Sequence, residues 1–145
     1  MSTPPLEPSI IPEETPLTKP FWTAARRGRV ALQRCRECNA SWHPPQPRCP
    51  QCRSSEPEWY ESSGRGRVHS FTVVRHPVHQ ALADRVPYVV ALVELDEGPK
   101  IICNLLDHSP EAVRVGLEVE LHLGAAAAGA MLAQAYPLRK DVDDD

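Results

Sequence analysis

Four of the five cysteines fall in one short stretch as two Cys-x-x-Cys pairs, Cys35-Arg-Glu-Cys38 and Cys49-Pro-Gln-Cys52, with ten residues between them. Each pair can present two thiolates from one tight turn, and two such turns facing each other make a tetrahedral four-sulfur cage. The separation is shorter than the roughly 15–20 residues of many zinc ribbons, but a hairpin through Pro44, Pro45 and Pro47 can close it. Structural zinc is favoured over iron, because the chain shows no other redox feature. A disulfide pairing is disfavoured, because Met1–Pro20 contains no basic region followed by an apolar run and so reads as no export signal. With all four positions taken by sulfur, no place remains for water or substrate, so the site is expected to be structural rather than catalytic. Arg34, Arg36, Arg48 and Arg53 flank the ligands and are expected to offset the negative charge of the thiolate cage.

Other chemistry-bearing residues give weaker signals. His43 lies between the pairs and reads as a loop residue once four cysteines are present. His76 and His79, in His-Pro-Val-His, have no carboxylate or nucleophile beside them in sequence and read as solvated loop residues. Cys103 sits inside an apolar run and reads as a buried thiol. Phosphate-binding loop, dinucleotide fingerprint and nucleophile elbow are all missing from the sequence.

The elements that must position the cage are legible in outline. Thr18 can cap a short helix that tolerates Pro20 in its first turn and ends at Gly28. Phe21, Trp22 and Ala25 give this helix one apolar face, which either packs on its own domain or docks a partner. Val30–Leu32 reads as a short strand leading into the first cysteine pair. After Trp59 the pattern turns to strands: Val68–Val74, Tyr88–Leu95 with a turn at Asp96-Glu-Gly98, Ile101–Leu106, the alternating Leu117–Leu123, and Met131–Tyr136. Five short strands with glycine turns favour a small Greek-key barrel of the OB type. Gly124–Gly129 is an alanine-rich connection.

The expected fold is therefore mainly β: an N-terminal helix and a rubredoxin-like zinc ribbon, followed by a five-stranded OB-fold barrel. The boundaries drawn are an extended arm over 1–17, helix plus ribbon over 18–60, barrel over 61–138 and an acidic tail over 139–145. Charge supports this division. The 145 residues carry 16 basic and 19 acidic side chains, a formal net charge of −3. The basic residues concentrate between Phe21 and Arg75, and the acidic ones predominate from His76 onward. Eleven of the 16 prolines lie at or before Pro57, again marking the first half as different. No apolar run approaches the ~18 residues of a membrane span, so a cytoplasmic chain without a membrane role is expected.

Taken in order, Phe21-Trp22, Leu32-Gln-Arg-Cys35, Pro47-Arg-Cys-Pro50-Gln-Cys52, Glu58-Trp59, Ser63-Gly-Arg-Gly66, Ser70-Phe-Thr72, Pro87-Tyr-Val-Val-Ala91 and Val93-Glu-Leu-Asp-Glu-Gly98 resemble the zinc-ribbon/OB-fold proteins called domain of unknown function 35. The resemblance covers roughly residues 18–138. It implies a small partner of thiolase-like enzymes, or of MaoC-like enoyl-CoA hydratases, in acyl-CoA metabolism that includes steroid side-chain degradation by a lipid-transfer-protein-like aldolase. The chain resembles the free-standing version. The resemblance further implies a role in assembling the complex and in holding or channelling the acyl-CoA.

Three functions follow as alternatives. The first is a non-catalytic accessory subunit of a thiolase-like or retro-aldol enzyme, with Phe21 and Trp22 as the partner-binding residues and acyl-CoA as a further ligand. The second is a single-stranded nucleic-acid binder, since ribbons and OB-folds both serve that end. It is disfavoured because the barrel zone is acidic and offers only Phe71, Tyr88 and Tyr136 for stacking. The third is an independent enzyme, for which no activated nucleophile or acid–base pair is found. Nothing in the sequence points to activity of the chain alone.

Overall fold

The computed structural model describes residues 13–78, 80–106, 108–125 and 131–138. The expected arm is thus described only from Glu13, and the acidic tail and most of the alanine-rich connection lie outside the described residues. The helix α1 spans Lys19–Ala25. Thr18 occupies its N-cap position, but its side chain makes no capping bond. Instead Thr15 and Thr18 exchange bonds, the Thr15 N–H donating to Thr18 Oγ1 at 2.9 Å and the Thr18 N–H donating to Thr15 Oγ1 at 3.2 Å. At the other end Gly28 takes φ +74, which lets the Arg29 N–H return to Ala24 O at 3.0 Å.

A three-stranded sheet follows, with β1 (Ala31–Cys35) between β2 (Ser41–Trp42) and β3 (Pro57–Glu61), all antiparallel. β1 runs three residues past the expected strand, and β2 and β3 are additional to the expected set. Gln33, in the middle of β1, is buried and bonded at both ends of its side-chain amide. Its Nε2 donates to Gln46 O at 3.0 Å, and its Oε1 accepts from the Gln46 N–H at 2.7 Å. This amide pins the proline-rich hairpin between the two cysteine pairs, where Pro44, Pro45 and Pro47 offer no N–H of their own.

The barrel is built from β4 (Arg65–Val74), β5 (Tyr88–Leu95), β6 (Lys100–Leu105), β7 (Glu118–Ala125) and β8 (Met131–Pro137), closed in the order β4-β5-β6-β8-β7. All pairs are antiparallel except β6 with β8, the arrangement of an OB-fold. The period-two reading of Leu117–Leu123 corresponds to burial, with Val119, Leu121 and Leu123 facing inward from β7, and Val89, Ala91, Val93 and Leu95 face inward from β5, whose apolar run shows no such alternation in sequence. Two 3₁₀ turns, Gln80–Arg85 and Pro110–Ala112, fill the longer connections. Short turns of this kind leave no periodicity to read.

Ribbon and barrel share one hydrophobic core. Phe21 and Ala25 of α1, with Val30 and Leu32, pack in the same cluster as Val68, Val93, Leu121 and the other barrel interior residues. The junction is held by Glu97, whose carboxylate accepts from Ser62 Oγ at 2.8 Å and from the Ser63 N–H at 2.9 Å. Among the described residues no helix is long and apolar enough to cross a membrane.

Candidate metal centre

The two cysteine pairs form equivalent turns. In the first, the Asn39 N–H donates to Cys35 O at 3.0 Å and the Cys38 N–H to Cys35 Sγ at 3.5 Å. In the second, the Arg53 N–H donates to Cys49 O at 2.9 Å and the Cys52 N–H to Cys49 Sγ at 3.5 Å. The residue after each second cysteine takes a left-handed conformation, Asn39 at φ 62 and Arg53 at φ 64. β1 ends on Cys35, and pairing of β1 with β2 and β3 turns the second knuckle toward it. Asn tolerates the left-handed region, but Arg gains nothing there. Arg53→Gly is therefore expected to leave metal content unchanged and to raise the unfolding free energy by up to about 1 kcal/mol. Arg53→Val should cost a similar amount in the same denaturant titration.

The four Sγ atoms lie within 4.8 Å of one another, with Cys35 and Cys52 at 3.5 Å and Cys38 and Cys49 at 3.5 Å. A tetrahedron of sulfurs at about 2.3 Å from a central ion has edges of about 3.8 Å, so the donor set suits one ion. Cys35 and Cys49 are buried, Cys38 and Cys52 exposed, and Trp42 packs against the two buried ones. The Cys38 backbone N–H bonded to its sulfur holds the Cys35 thiol down to about 7, while the Cys38 and Cys52 thiols are pushed up in the same cluster, so the sulfurs share rather than each hold a negative charge. The arrangement fits a structural metal and leaves no ligand position for substrate.

The flanking arginines do not all serve the cage. Arg34 lies 3.0 Å from Glu58, and Arg36 lies 3.9 Å from the same carboxylate. Arg34 also stacks over Tyr60, its guanidinium carbon 4.6 Å from the ring centre. The expected neutralisation of the cage by these two residues is thus shared with Glu58 of β3, which spacing along the chain could not reveal.

Phe21 is 7% exposed and belongs to the chain's own core. Trp22 is half-buried, edge-on to Phe21 with ring centres 5.1 Å apart, and is the member of the pair that remains partly open. Cys103 is buried, and burial pushes its thiol up to about 12, so it is unreactive as read. His76 is exposed, and His79 lies outside the described residues.

His43 is more than a loop residue. It stacks on Phe21 with ring centres 5.3 Å apart, tying the proline hairpin to α1, and burial lowers its pKa below 6.5. The folded state thus prefers the neutral ring. Its contribution is complete above the unfolded value of 6.5 and is lost as pH falls from there through the lower folded value. Unfolding measured from pH 7 to pH 5 should show a steeper loss for the unsubstituted chain than for His43→Gln. Both chains carry the same cysteines, so the difference isolates His43.

One cleft was not anticipated. It has a volume of about 500 Å³ and lies between α1 and the ribbon sheet, lined by Lys19, Thr23 and Arg27 on one side and Trp59, Tyr60 and Glu61 on the other. Arg27 reaches Glu61 at 3.1 Å. The i, i+4, i+8 spacing of Lys19, Thr23 and Arg27 is the sequence signal that could have indicated this second helix face.

Comparison with known proteins extends this description. Residues 22–58 match the family described as the ChsH2 rubredoxin-like zinc ribbon domain, and residues 59–123 match the ChsH2 C-terminal OB-fold domain. The chain is 43% identical over 102 residues to a probable enoyl-CoA hydratase alpha subunit of Thermomonospora curvata, covering 70% of this chain and 31% of that protein. It is 35% identical over 99 residues to the 3-oxo-4,17-pregnadiene-20-carboxyl-CoA hydratase alpha subunit of Mycobacterium tuberculosis, covering 68% and 31%. The chain therefore spans less than a third of the length of these two relatives. A DUF35 domain-containing scaffold protein of Methanothermobacter thermautotrophicus is 37% identical over 97 residues, covering 66% of this chain and 72% of the relative. Among solved structures, a chain of the Ltp2-ChsH2(DUF35) aldolase superposes with a TM-score of 0.78 at 36% identity, covering 87% of this chain and 98% of that one. A mainly β chain with one short helix, a four-cysteine ribbon and a closed OB barrel, matched in both halves, belongs to the DUF35 family of ChsH2-type zinc-ribbon/OB-fold proteins.

Proposed function

We propose that this chain is a non-catalytic accessory subunit of a thiolase-like acyl-CoA enzyme, a thiolase or a lipid-transfer-protein-like retro-aldolase, and that its cage holds one structural zinc ion. The observation that carries the reading is the likeness to the DUF35 chain of the aldolase, which spans 98% of that chain at 36% identity. The closed four-sulfur donor set supports it, because such a site orders a segment without offering a position for chemistry. Zinc is preferred over iron on the same donor set in a chain without other redox groups. Of Phe21 and Trp22, the half-buried Trp22 is proposed to touch the partner, while Phe21 holds α1 in the chain's own core. The acyl-CoA is proposed as a ligand of the complex, and steroid side-chain degradation as its setting, supported by the pregnadiene-carboxyl-CoA hydratase relative. The compartment proposed is the cytoplasm.

The hydratase alpha-subunit relatives favour a second reading, partnership with a MaoC-like enoyl-CoA hydratase, with this chain corresponding to under a third of such a subunit. Affinity purification of the tagged chain from its native host separates the two. Recovery of a thiolase-fold protein in stoichiometric amount supports the first reading, and recovery of a hydratase supports the second. Isolation of the chain alone counts against both.

A further inference from the structure

Among the described residues, one buried side-chain polar atom finds no hydrogen-bond partner: the indole Nε1 of Trp42. The residue is 6% exposed, so bulk water does not reach this N–H in place of a partner. A buried donor left unbonded is costly, and native interiors keep few of them. The ribbon sheet fixes where the ring lies. Trp42 stands opposite Gln33 in the register of β1 with β2, and Cys35 follows Gln33 by two residues, on the same face. The indole packs in one cluster with Cys35, Cys49 and Ala40. Other polar groups of this face are engaged elsewhere. Gln33 gives both ends of its amide to Gln46, and Ala40 O accepts from the Cys35 N–H at 2.8 Å.

The sulfurs of the same cluster have the opposite need. A metal takes its cysteine ligands as thiolates, and four thiolates around one divalent ion leave the cage with negative charge in excess. Cys38 and Cys52 are exposed and can pass their share to water. Cys35 and Cys49 are buried, where charge must be met by fixed donors of the protein. Backbone groups meet part of it, the Cys38 N–H at Cys35 Sγ and the Gln51 and Cys52 N–H groups at Cys49 Sγ. The nearby Arg34 and Arg36 are shared with Glu58.

We infer that the Trp42 N–H is a further fixed donor to the buried half of the metal-loaded cage, bonding the Cys35 or Cys49 thiolate it packs against. The inference rests on the reading of the four sulfurs as a metal site. It makes Trp42 a positioning residue for the cage: the indole does not touch the ion, but it holds a ligand and offsets the charge that ligand carries. A donor of this kind to a ligating group commonly accounts for about 10–100-fold in metal affinity.

The full chain loaded with a magnetic isotope of cadmium tests this by NMR. A hydrogen bond to a metal-bound sulfur carries scalar coupling from the proton to the metal nucleus, which packing alone does not. The indole proton of Trp42 should show that coupling, and those of the half-buried Trp22 and Trp59 should not. In competition with a chelator, Trp42→Phe should hold cobalt(II) about tenfold more weakly and shift its sulfur-to-metal charge-transfer band. Replacing Trp42 with benzothienylalanine, which keeps the shape of the ring and removes only the N–H, should reproduce both changes without the packing loss of phenylalanine. Uptake of one ion per chain with no coupling at Trp42, or with unchanged affinity in the benzothienyl chain, would overturn the role of Trp42 while leaving the cage standing. Failure to take up any ion would overturn the reading of the cage and the inference with it.

Discussion

Removing the metal is expected to unfold the ribbon, and with it part of the barrel's support. The segment from Ala31 to Glu61 has three short strands, one of only two residues, and a satellite apolar cluster whose buried members are Cys35, Trp42 and Cys49. Two of those three belong to the four-sulfur donor set, so the cluster is expected to fail once the sulfurs part. Structural zinc in small ribbons supplies an apparent ~10–16 kcal/mol, far more than this cluster could offer. Chelation, or Cys49→Ser, should abolish the protection of β1 and β3 amides from hydrogen exchange while the outer barrel strands retain theirs for longer. α1 and β1 also contribute Phe21, Ala25 and Leu32 to the barrel core, so the barrel should then melt at a lower temperature. Undiminished protection across residues 31–61 in metal-free protein would show that the cage is dispensable.

Gly66 should prove the least replaceable residue of the barrel. It sits where β4 is shared between β5 and β7, paired with Leu95 on one side and Val119 on the other. A Cβ at this position would lie 2.4 Å from Glu94 O and 2.9 Å from Val93 Cγ1. The first of these is backbone, which cannot step aside without breaking the ladder that closes the barrel. Overpacking of a rigid site costs roughly 1–3 kcal/mol or more, so Gly66→Ala is expected to cost at least about 3 kcal/mol and Gly66→Val to prevent folding. Gly98, where an added Cβ would meet nothing within 4 Å, is a suitable contrast, although its φ of +110 strains any substitution there. Urea titration of Gly66→Ala at constant metal occupancy measures the difference. A midpoint within error of the unsubstituted chain would contradict the steric argument.

The features legible in sequence were those set by local chemistry. Cys35, Cys38, Cys49 and Cys52 declared the cage because metal ligation needs two thiolates per turn, a constraint written in spacing. Leu117–Leu123 is legible because one of its faces lies against the core and the other carries polar residues, and Tyr88–Leu95 because an apolar run stands between Pro87 and the turn at Asp96-Glu-Gly98. β3 gave no such signal, since Glu58, Trp59 and Tyr60 are all half-buried and the strand exists through pairing with β1, more than 20 residues away. The double role of Glu58 toward Arg34 and Arg36, the Gln33 clamp on Gln46 and the stacking of His43 on Phe21 are likewise long-range. Phe21, Trp22 and Ala25 make one apolar face by their spacing, yet a helix turns successive residues by about 100°. That rotation is why Phe21 is core and Trp22 half-open.

The chain is proposed to have no chemistry of its own and to supply order to a partner. Reconstitution measures this most directly: turnover of a β-hydroxyacyl- or β-ketoacyl-CoA by the purified chain, by its thiolase-fold partner, and by the two mixed at equal concentration. No turnover by the chain alone, together with partner activity that rises when the metal-loaded chain is added, is the predicted result. Turnover by the chain alone, or a partner indifferent to its presence, would contradict the account.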